Sequence, residues 1–398
     1  MGSQSEEASN LKGSIRLGSY LRKLRAGYGY SLRRVEERAR AEGGEIDNSQ
    51  LSRYEKGICY PSFDKLRILA NVFNVSIQSF SDVVDLEEYE DLKPASGDAN
   101  ELQEQAIASL KSGDIGLAFA MLERAIELLT ERPLDAETQE QIGRARVNQA
   151  AVLTRLGKLA LAEQELRNAL RLSDRLSLRL QARALLALAG IHADQGDHFL
   201  SEMEADRAYH IATQESMDVL AAHALNSHGH VMHQRGRAAE AIERFREAAR
   251  LFTQSGEAFE ALRSRINVGA CYVALGKYRE GIRLLRESLV EARSGGHRHL
   301  EALAWSNLGE AYYRQSDPRR AKGCFRESDA LAMYNNEKHP AILFFNAYYE
   351  WKMAQESENP TRERIAFGRL KALRSTLERR SPEVAAFDDH VERGRADA

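Results

Sequence analysis

Apolar residues recur every three or four positions along nearly the whole of this 398-residue chain, the spacing of helices that bury one stripe. Near the amino terminus Leu17, Leu21 and Leu24 line one face of a first helix. Ser31 is placed to cap a second, Leu32 to about Ala39, with Leu32 and Val35 facing inward. Asp47 caps a third, in which Leu51 and Tyr54 turn inward and Gly57 supplies the left-handed stop. Pro61-Ser62 opens a fourth helix carrying Leu66, Leu69, Ala70 and Phe73, and Val75 and Phe80 close the core with a fifth.

Beyond an acidic stretch at 86–99, broken at Pro94 and expected to be a linker that starts as a short helical extension, the pattern repeats itself. Turns recur at Ser112-Gly113-Asp114, Leu156-Gly157-Lys158, Gln195-Gly196-Asp197, Arg235-Gly236-Arg237, Leu275-Gly276-Lys277 and Gln315-Ser316-Asp317. From Gly157 onward they are 39 or 40 residues apart, each between two amphipathic helices. A small residue and then an apolar pair follow each turn, as in Ala162…Leu166…Ala169, Ala241…Phe245…Ala248 and Ala321…Phe325. A last amphipathic helix, Thr361 to Arg380 with Ile365, Leu370, Leu373 and Leu377, is broken by Ser381-Pro382 and followed by a short tail helix. It suits either a polar-faced cap on the array or a dimerisation surface.

The segment Leu51-Ser52, Glu55, Gly57, Pro61-Ser62, Leu66, Leu69-Ala70 and Val75 resembles the Xre/lambda-repressor-like helix-turn-helix family over about residues 13–85. The loop Ala41–Ile46 is longer than that family's usual connection. The resemblance implies that the helix after Asp47 enters the DNA major groove. With Leu51 and Tyr54 inward, Asn48, Ser49, Ser52 and Arg53 face out as candidate base contacts, Asn suited to adenine and Arg to guanine. Ser31, Arg33, Gln50 and Lys56 are better placed for phosphates. A solvated polar helix face is the alternative for each.

The repeats, about residues 100–356, resemble tetratricopeptide repeats in a longer form of roughly 40 residues. The expected fold is therefore all-α: a five-helix helix-turn-helix domain (13–85) after a flexible start (1–12), the linker (86–99), a right-handed tetratricopeptide-type superhelix (100–356) and capping helices (357–398). That resemblance puts the first helix of each repeat on the concave side. Nine residues before the turn stand Asn148, Ala187, Ser227, Asn267 and Asn307, and Asn346 is read as continuing the row. Asn is a poor helix-interior residue, and its amide both donates and accepts, which suits an extended peptide backbone. Thirteen residues before the turn stand Arg144, Arg183, His223 and Arg263, which favour an anionic group. Bridging between neighbouring helices and simple solvation are the competing explanations. His230 and His233 share a face with Asn226, and with His223 and His228 they invite a metal, but no carboxylate or cysteine at ligand spacing accompanies them. A polar or pH-sensitive groove lining is the better reading.

Composition narrows the rest. A net charge of −3 excludes a nonspecific nucleic-acid binder, although residues 10–85 are basic, with 13 Lys/Arg against 9 Asp/Glu. Three scattered cysteines, Cys59, Cys271 and Cys324, point to a reducing cytosol rather than a disulfide framework. The polar, acidic start does not read as a signal peptide, and no apolar run reaches the ~18 residues of a membrane span. No phosphate-binding glycine loop, metalloprotease helix or nucleophile elbow is present, so neither an enzyme nor a cofactor is expected.

A helix-turn-helix reader on such an array resembles the peptide-sensing RRNPP class of transcription regulators. The resemblance implies a cytosolic homodimer on double-stranded DNA bearing an inverted repeat, with a peptide or protein segment in the concave groove. The alternative is an adaptor whose array docks a protein partner.

Overall fold

The computed structural model describes residues 13–95, 97–333, 339–375, 377 and 381–396. The flexible start expected at 1–12 lies outside them. Among the described residues every regular element is helical, and the chain divides into two compact units, Met1–Arg175 and Leu176–Ala398.

The first unit opens with five helices: α1 (Ile15–Gly27), α2 (Leu32–Ala41), α3 (Asn48–Glu55), α4 (Phe63–Val72) and α5 (Ile77–Asp85). Short polar side chains start four of them. Ser14, Ser31, Asp47 and Ser76 each accept a backbone N–H of the first turn, satisfying one of the donors a helix start leaves open. Leu17, Leu21, Val35, Leu51, Tyr54, Leu69, Phe73 and Phe80 are buried together, while Leu32 and Leu66 are only half-buried. Gly57 ends the α3 turn at φ +66°, and a Cβ there would lie 2.7 Å from the Ile15 backbone, so both conformation and space demand glycine. The long loop before α3 does not hang free: its Ile46 is buried and its Gly44 lies against the Ile68 side chain.

A 3₁₀ turn, Leu86–Leu92, then packs on α7 (Ile115–Thr130), with Tyr89 tilted on Phe119 at 5.9 Å between ring centres. Ion pairs tie the head to the first repeats. Arg16 of α1 donates to both oxygens of Glu123 of α7 (2.8 and 2.6 Å) and pairs with Glu90. Lys93 reaches Glu123 and Glu127, at 3.0 and 2.8 Å. Lys158 reaches Asp82 and Asp85, at 3.1 and 2.5 Å. The unit is completed by α6 (Ala99–Ser112), paired with α7, and by α8 (Ala136–Arg155), paired with α9 (Leu159–Leu170).

The second unit continues the helical hairpins: α10 (Leu178–Gln195) with α11 (His198–Gln214), α12 (Asp218–Gln234) with α13 (Ala238–Gln254), α14 (Ala258–Ala274) with α15 (Tyr278–Ser294), α16 (Arg298–Arg314) with α17 (Pro318–Ala332), and α18 (Pro340–Glu356) with α19 (Pro360–Arg374). The small residues of the repeat pattern let paired helices approach. Gly229, Gly269 and Gly309 of the first helices face Phe245, Leu285 and Phe325 of the second, all within 3 Å of a hypothetical Cβ. Helix α19 ends at Arg374 rather than running to Arg380. Leu377, beyond that end, joins Val384 and Phe387 of the final helix α20 (Pro382–Ala396) on Phe344, Trp351 and Leu370. Residues 376 and 378–380 lie outside the described part. No described helix is long and apolar enough to cross a membrane.

Candidate functional site

Helix α3 presents Asn48, Ser49 and Arg53 exposed on its outer face, with Ser52 half-buried beside them and Leu51 and Tyr54 beneath. Its orientation is fixed from below. Glu55 is buried, and both its carboxylate oxygens accept from Arg25 of α1, from Nε at 2.6 Å and Nη2 at 2.9 Å. Arg25 Nη1 also donates to the Tyr30 carbonyl at 3.0 Å, joining α1, α3 and the turn before α2. Of the residues expected on phosphates, Arg33 and Lys56 are exposed, although Arg33 lies 3.6 Å from Glu37. Ser31 uses its hydroxyl oxygen as the α2 cap, accepting from the Arg34 N–H. Gln50 is half-buried, its Oε1 accepting from Lys65 at 2.9 Å, so it ties α3 to α4.

The expected groove residues separate by environment. Arg144 (exposed) and Asn148 (half-buried) are on α8 in the first unit, and the others are in the second. There Asn267 and Asn307 hold the same position on α14 and α16, each about a tenth exposed, and Asn267 Nδ2 lies 3.4 Å from His230 Nε2 on α12. Arg183 is exposed on α10, and Arg263 is half-buried on α14. Two asparagines depart from the groove reading. Asn226 is buried, and its Oδ1 accepts from Ser264 of the next first helix at 3.2 Å. Asn346 is wholly buried: its Oδ1 accepts from Ser306, and its amide donates to Ser328 and Asp329, each at 2.9 Å. Both bridge neighbouring helices.

The physical reason for Asn346 is register. In the preceding hairpin the left-handed turn residue is Ser316 (φ +59°), and in the last it is Glu358 (φ +49°). The position nine residues before Glu358 is Tyr349, not Asn346. Tyr349 donates to Glu310 Oε1 at 3.0 Å.

Residues 21–80 match the helix-turn-helix family model. Residues 257–335 match that of the tetratricopeptide repeat. No curated protein matches the chain in sequence. Among solved structures it is similar to the apo form of RapI, at 12% identity and a TM-score of 0.57, covering 70% of this chain and 97% of that one. A Rap protein complexed with competence and sporulation factor is similar at 18% identity and a TM-score of 0.56, covering 90% and 98%. The apo quorum sensor NprR from B. thuringiensis is similar at 15% identity and a TM-score of 0.50, covering 72% and 79%. At these identities the likeness is one of fold. The chain thus carries a helix-turn-helix match followed by a tetratricopeptide-repeat match, and its helical fold is like that of these solved structures.

The histidines of the array face different partners. His228 Nε2 is 3.4 Å from Asp206, His233 Nδ1 is 3.5 Å from Cys271 Sγ, and His230 stands edge-on to Phe245 at 5.3 Å. Burial lowers the pKa of His228 and His233 and pushes the Cys271 thiol up to about 12, leaving it an unreactive thiol. Among the described residues no three His, Cys, Asp or Glu side chains converge as a metal site would require. Two contributors escaped sequence reading. Arg25 lies 30 positions from the Glu55 it holds, and no local pattern marks it. Glu383 of α20 comes within electrostatic range of His233 and Glu310, and its carboxyl is pushed up chiefly by burial and further by Glu310. Its signal was only an acidic residue beside the Ser381-Pro382 break.

Proposed function

We propose that this chain is a sequence-specific DNA-binding transcription regulator whose array senses a peptide along its first helices. The observation that carries the first half is α3: Asn48, Ser49 and Arg53 are presented together on a helix whose other face is anchored by Leu51, Tyr54 and the Glu55–Arg25 pair. Side chains that cross a groove to a base edge need such a rigid base. The second half is supported by Asn267 and Asn307 at one position of successive helices. The fold shared with NprR, a quorum sensor, and with a Rap protein complexed with competence and sporulation factor agrees with it. The protein acts as a homodimer in the cytoplasm in this reading, its heads on half-sites of an inverted repeat about 34 Å apart.

Selection of bound DNA from a random library, read at two salt concentrations, tests the reader. An enriched inverted repeat is expected. Arg53→Ala should cost roughly 1–3 kcal/mol and relax the sequence at one position of each half-site. Weak, uniformly salt-sensitive binding without enrichment would instead describe a phosphate binder. For the sensor, Asn267→Ala combined with Asn307→Ala should abolish the ligand response and leave DNA affinity unchanged. A response retained in that double variant would remove the asparagines from the mechanism.

A further inference from the structure

An open cleft of about 500 Å³ lies in the second unit between α13, α14 and α15, on a face of α14 other than the one carrying Arg263 and Asn267. Every charged side chain that lines it is an arginine: Arg246 and Arg250 from α13, Arg265 from α14 and Arg283 from α15. Its floor is apolar, with Ala249 and Val268 buried and Leu284 half-buried. Each guanidinium has a carboxylate of its own. Arg246 Nη1 lies 3.1 Å from Glu243, Arg250 donates to both oxygens of Glu247 at 2.9 and 2.6 Å, Arg283 Nη1 lies 3.3 Å from Glu287, and Arg265 pairs with Glu291. Among the described residues none of these glutamates lines the cleft, and none pairs with a second of the four arginines. All four arginine side chains keep more than a third of their surface exposed, so N–H groups not used by the glutamates remain open to a ligand.

The repeat separates what packs the array from what does not. Arg246 donates to the Tyr272 hydroxyl, and one repeat later Arg286 donates to that of Tyr312, both pairs 26 positions apart. Arg246 thus belongs to the packing of successive hairpins. Arg250, Arg265 and Arg283 have no such counterpart: forty positions earlier stand His210, Leu225 and Glu243, and forty later Val290, Trp305 and Gly323. Their separate surface pairs with glutamate contribute about 1 kcal/mol or less each, which gives no reason to gather three like charges around one cleft. A ligand does. A carboxylate satisfies one guanidinium fork, as each glutamate does here. A phosphate monoester has three terminal oxygens and a charge of about −1.5 to −2, so it can bridge forks from different helices. The apolar floor, and a volume within the usual range of small-ligand pockets, call for an organic body behind the phosphate.

We propose that this cleft binds a phosphorylated small organic molecule, its phosphate across Arg250, Arg265 and Arg283 and its organic body on Ala249, Val268 and Leu284. The site does not use the Asn267 face and does not depend on reading the array as a peptide sensor. Helix α13 closes one hairpin, while α14 and α15 form the next. An occupant therefore ties two successive repeats together.

The test uses the full-length protein labelled with ¹⁵N at its arginines and titrated with phenyl phosphate at constant ionic strength. Inorganic phosphate, which lacks the body, and benzoate, which carries a carboxylate on the same ring, are the comparisons. Phenyl phosphate should move the Nε signals of Arg250, Arg265 and Arg283 along one saturable curve, and both comparison ions should bind at least tenfold more weakly. Arg265→Gln combined with Arg283→Gln should weaken phenyl phosphate at least tenfold. Arg326→Gln combined with Arg364→Gln removes the same charge from exposed positions outside the cleft and should change nothing. If the first double variant does not fold, Arg250→Gln alone takes its place, with the same direction expected. The cleft would be overturned as an organic phosphate site by any of four results: no saturation, benzoate or inorganic phosphate binding as tightly as phenyl phosphate, undiminished binding in the folded cleft variant, or an equal loss in the Arg326 and Arg364 control.

Discussion

Glu55 is a buried carboxylate whose two oxygens are both taken by Arg25. Replacing it leaves a guanidinium that is only about a fifth exposed without its counter-charge. Breaking a buried ion pair on one side costs about 3–5 kcal/mol, and the partial exposure of Arg25 argues for the lower end. Glu55→Ala should therefore destabilise the head by about 3 kcal/mol in urea unfolding, and weaken DNA binding with it. A loss below about 1 kcal/mol would mean that the pair orients α3 without holding it. The motif made Glu55 visible in the sequence, but not its partner, because the pair closes across three elements. The asparagines teach the same lesson. Composition marks Asn226, Asn267, Asn307 and Asn346 alike, yet Asn226 and Asn346 bond serines of neighbouring first helices, Asn267 lies 3.4 Å from His230 of α12, and only Asn267 and Asn307 keep close to a tenth of their surface exposed. The serines that hold Asn226 and Asn346, Ser264 on the following first helix and Ser306 on the preceding one, are residues a single-helix pattern does not contain.

Individual helices were far more legible. The caps at Ser31 and Asp47 and the stop at Gly57 are short-range chemistry, and α2 and α3 begin where those residues put them. Helix ends without such a signal were harder. The apolar stripe of α19 runs on to Leu377, but that residue serves the cluster with Val384 and Phe387 after the helix has ended. Pairing within a hairpin depends on one small residue per first helix. A Cβ on Gly309 would stand 2.4 Å from the ring of Phe325, a side chain with no exposure. Gly309→Val would place three carbons where none fits, an overpacking that costs roughly 1–3 kcal/mol against less than 1 kcal/mol gained in helix propensity. A lowered melting temperature is expected, with faster amide exchange in α16 and α17. An unchanged protein would show that Phe325 can leave its place cheaply.

Across the whole chain, composition marks residues 86–99 as a connector and is silent on what its charges face. Within it Glu90 pairs with Arg16, and Lys93 with Glu123 and Glu127; beside it Arg16 also pairs with Glu123, and Lys158 with Asp82 and Asp85. Burial works against the charge on Arg16, Lys93 and Lys158, yet their pKa values rise because the carboxylates outweigh it. The head is thus seated on the first repeats by a network of charges around one aromatic contact, Tyr89 on Phe119. Such a seat is stiff but replaceable: each pair is worth a kcal/mol or so, and salt screens the exposed ones. If it sets how the head is presented to DNA, loosening it should change spacing and not sequence. Arg16→Ala combined with Lys158→Ala leaves the outer face of α3 untouched. In a selection from DNA whose half-sites are separated by variable spacers, the native protein should keep a narrow set of spacings. The double variant should recover the same half-site over a wider set, more so at low salt, where long-range repulsion from the unpaired carboxylates is least screened. The same narrow spacing in both proteins would assign head presentation to another part of the chain and leave the ion pairs a purely stabilising role.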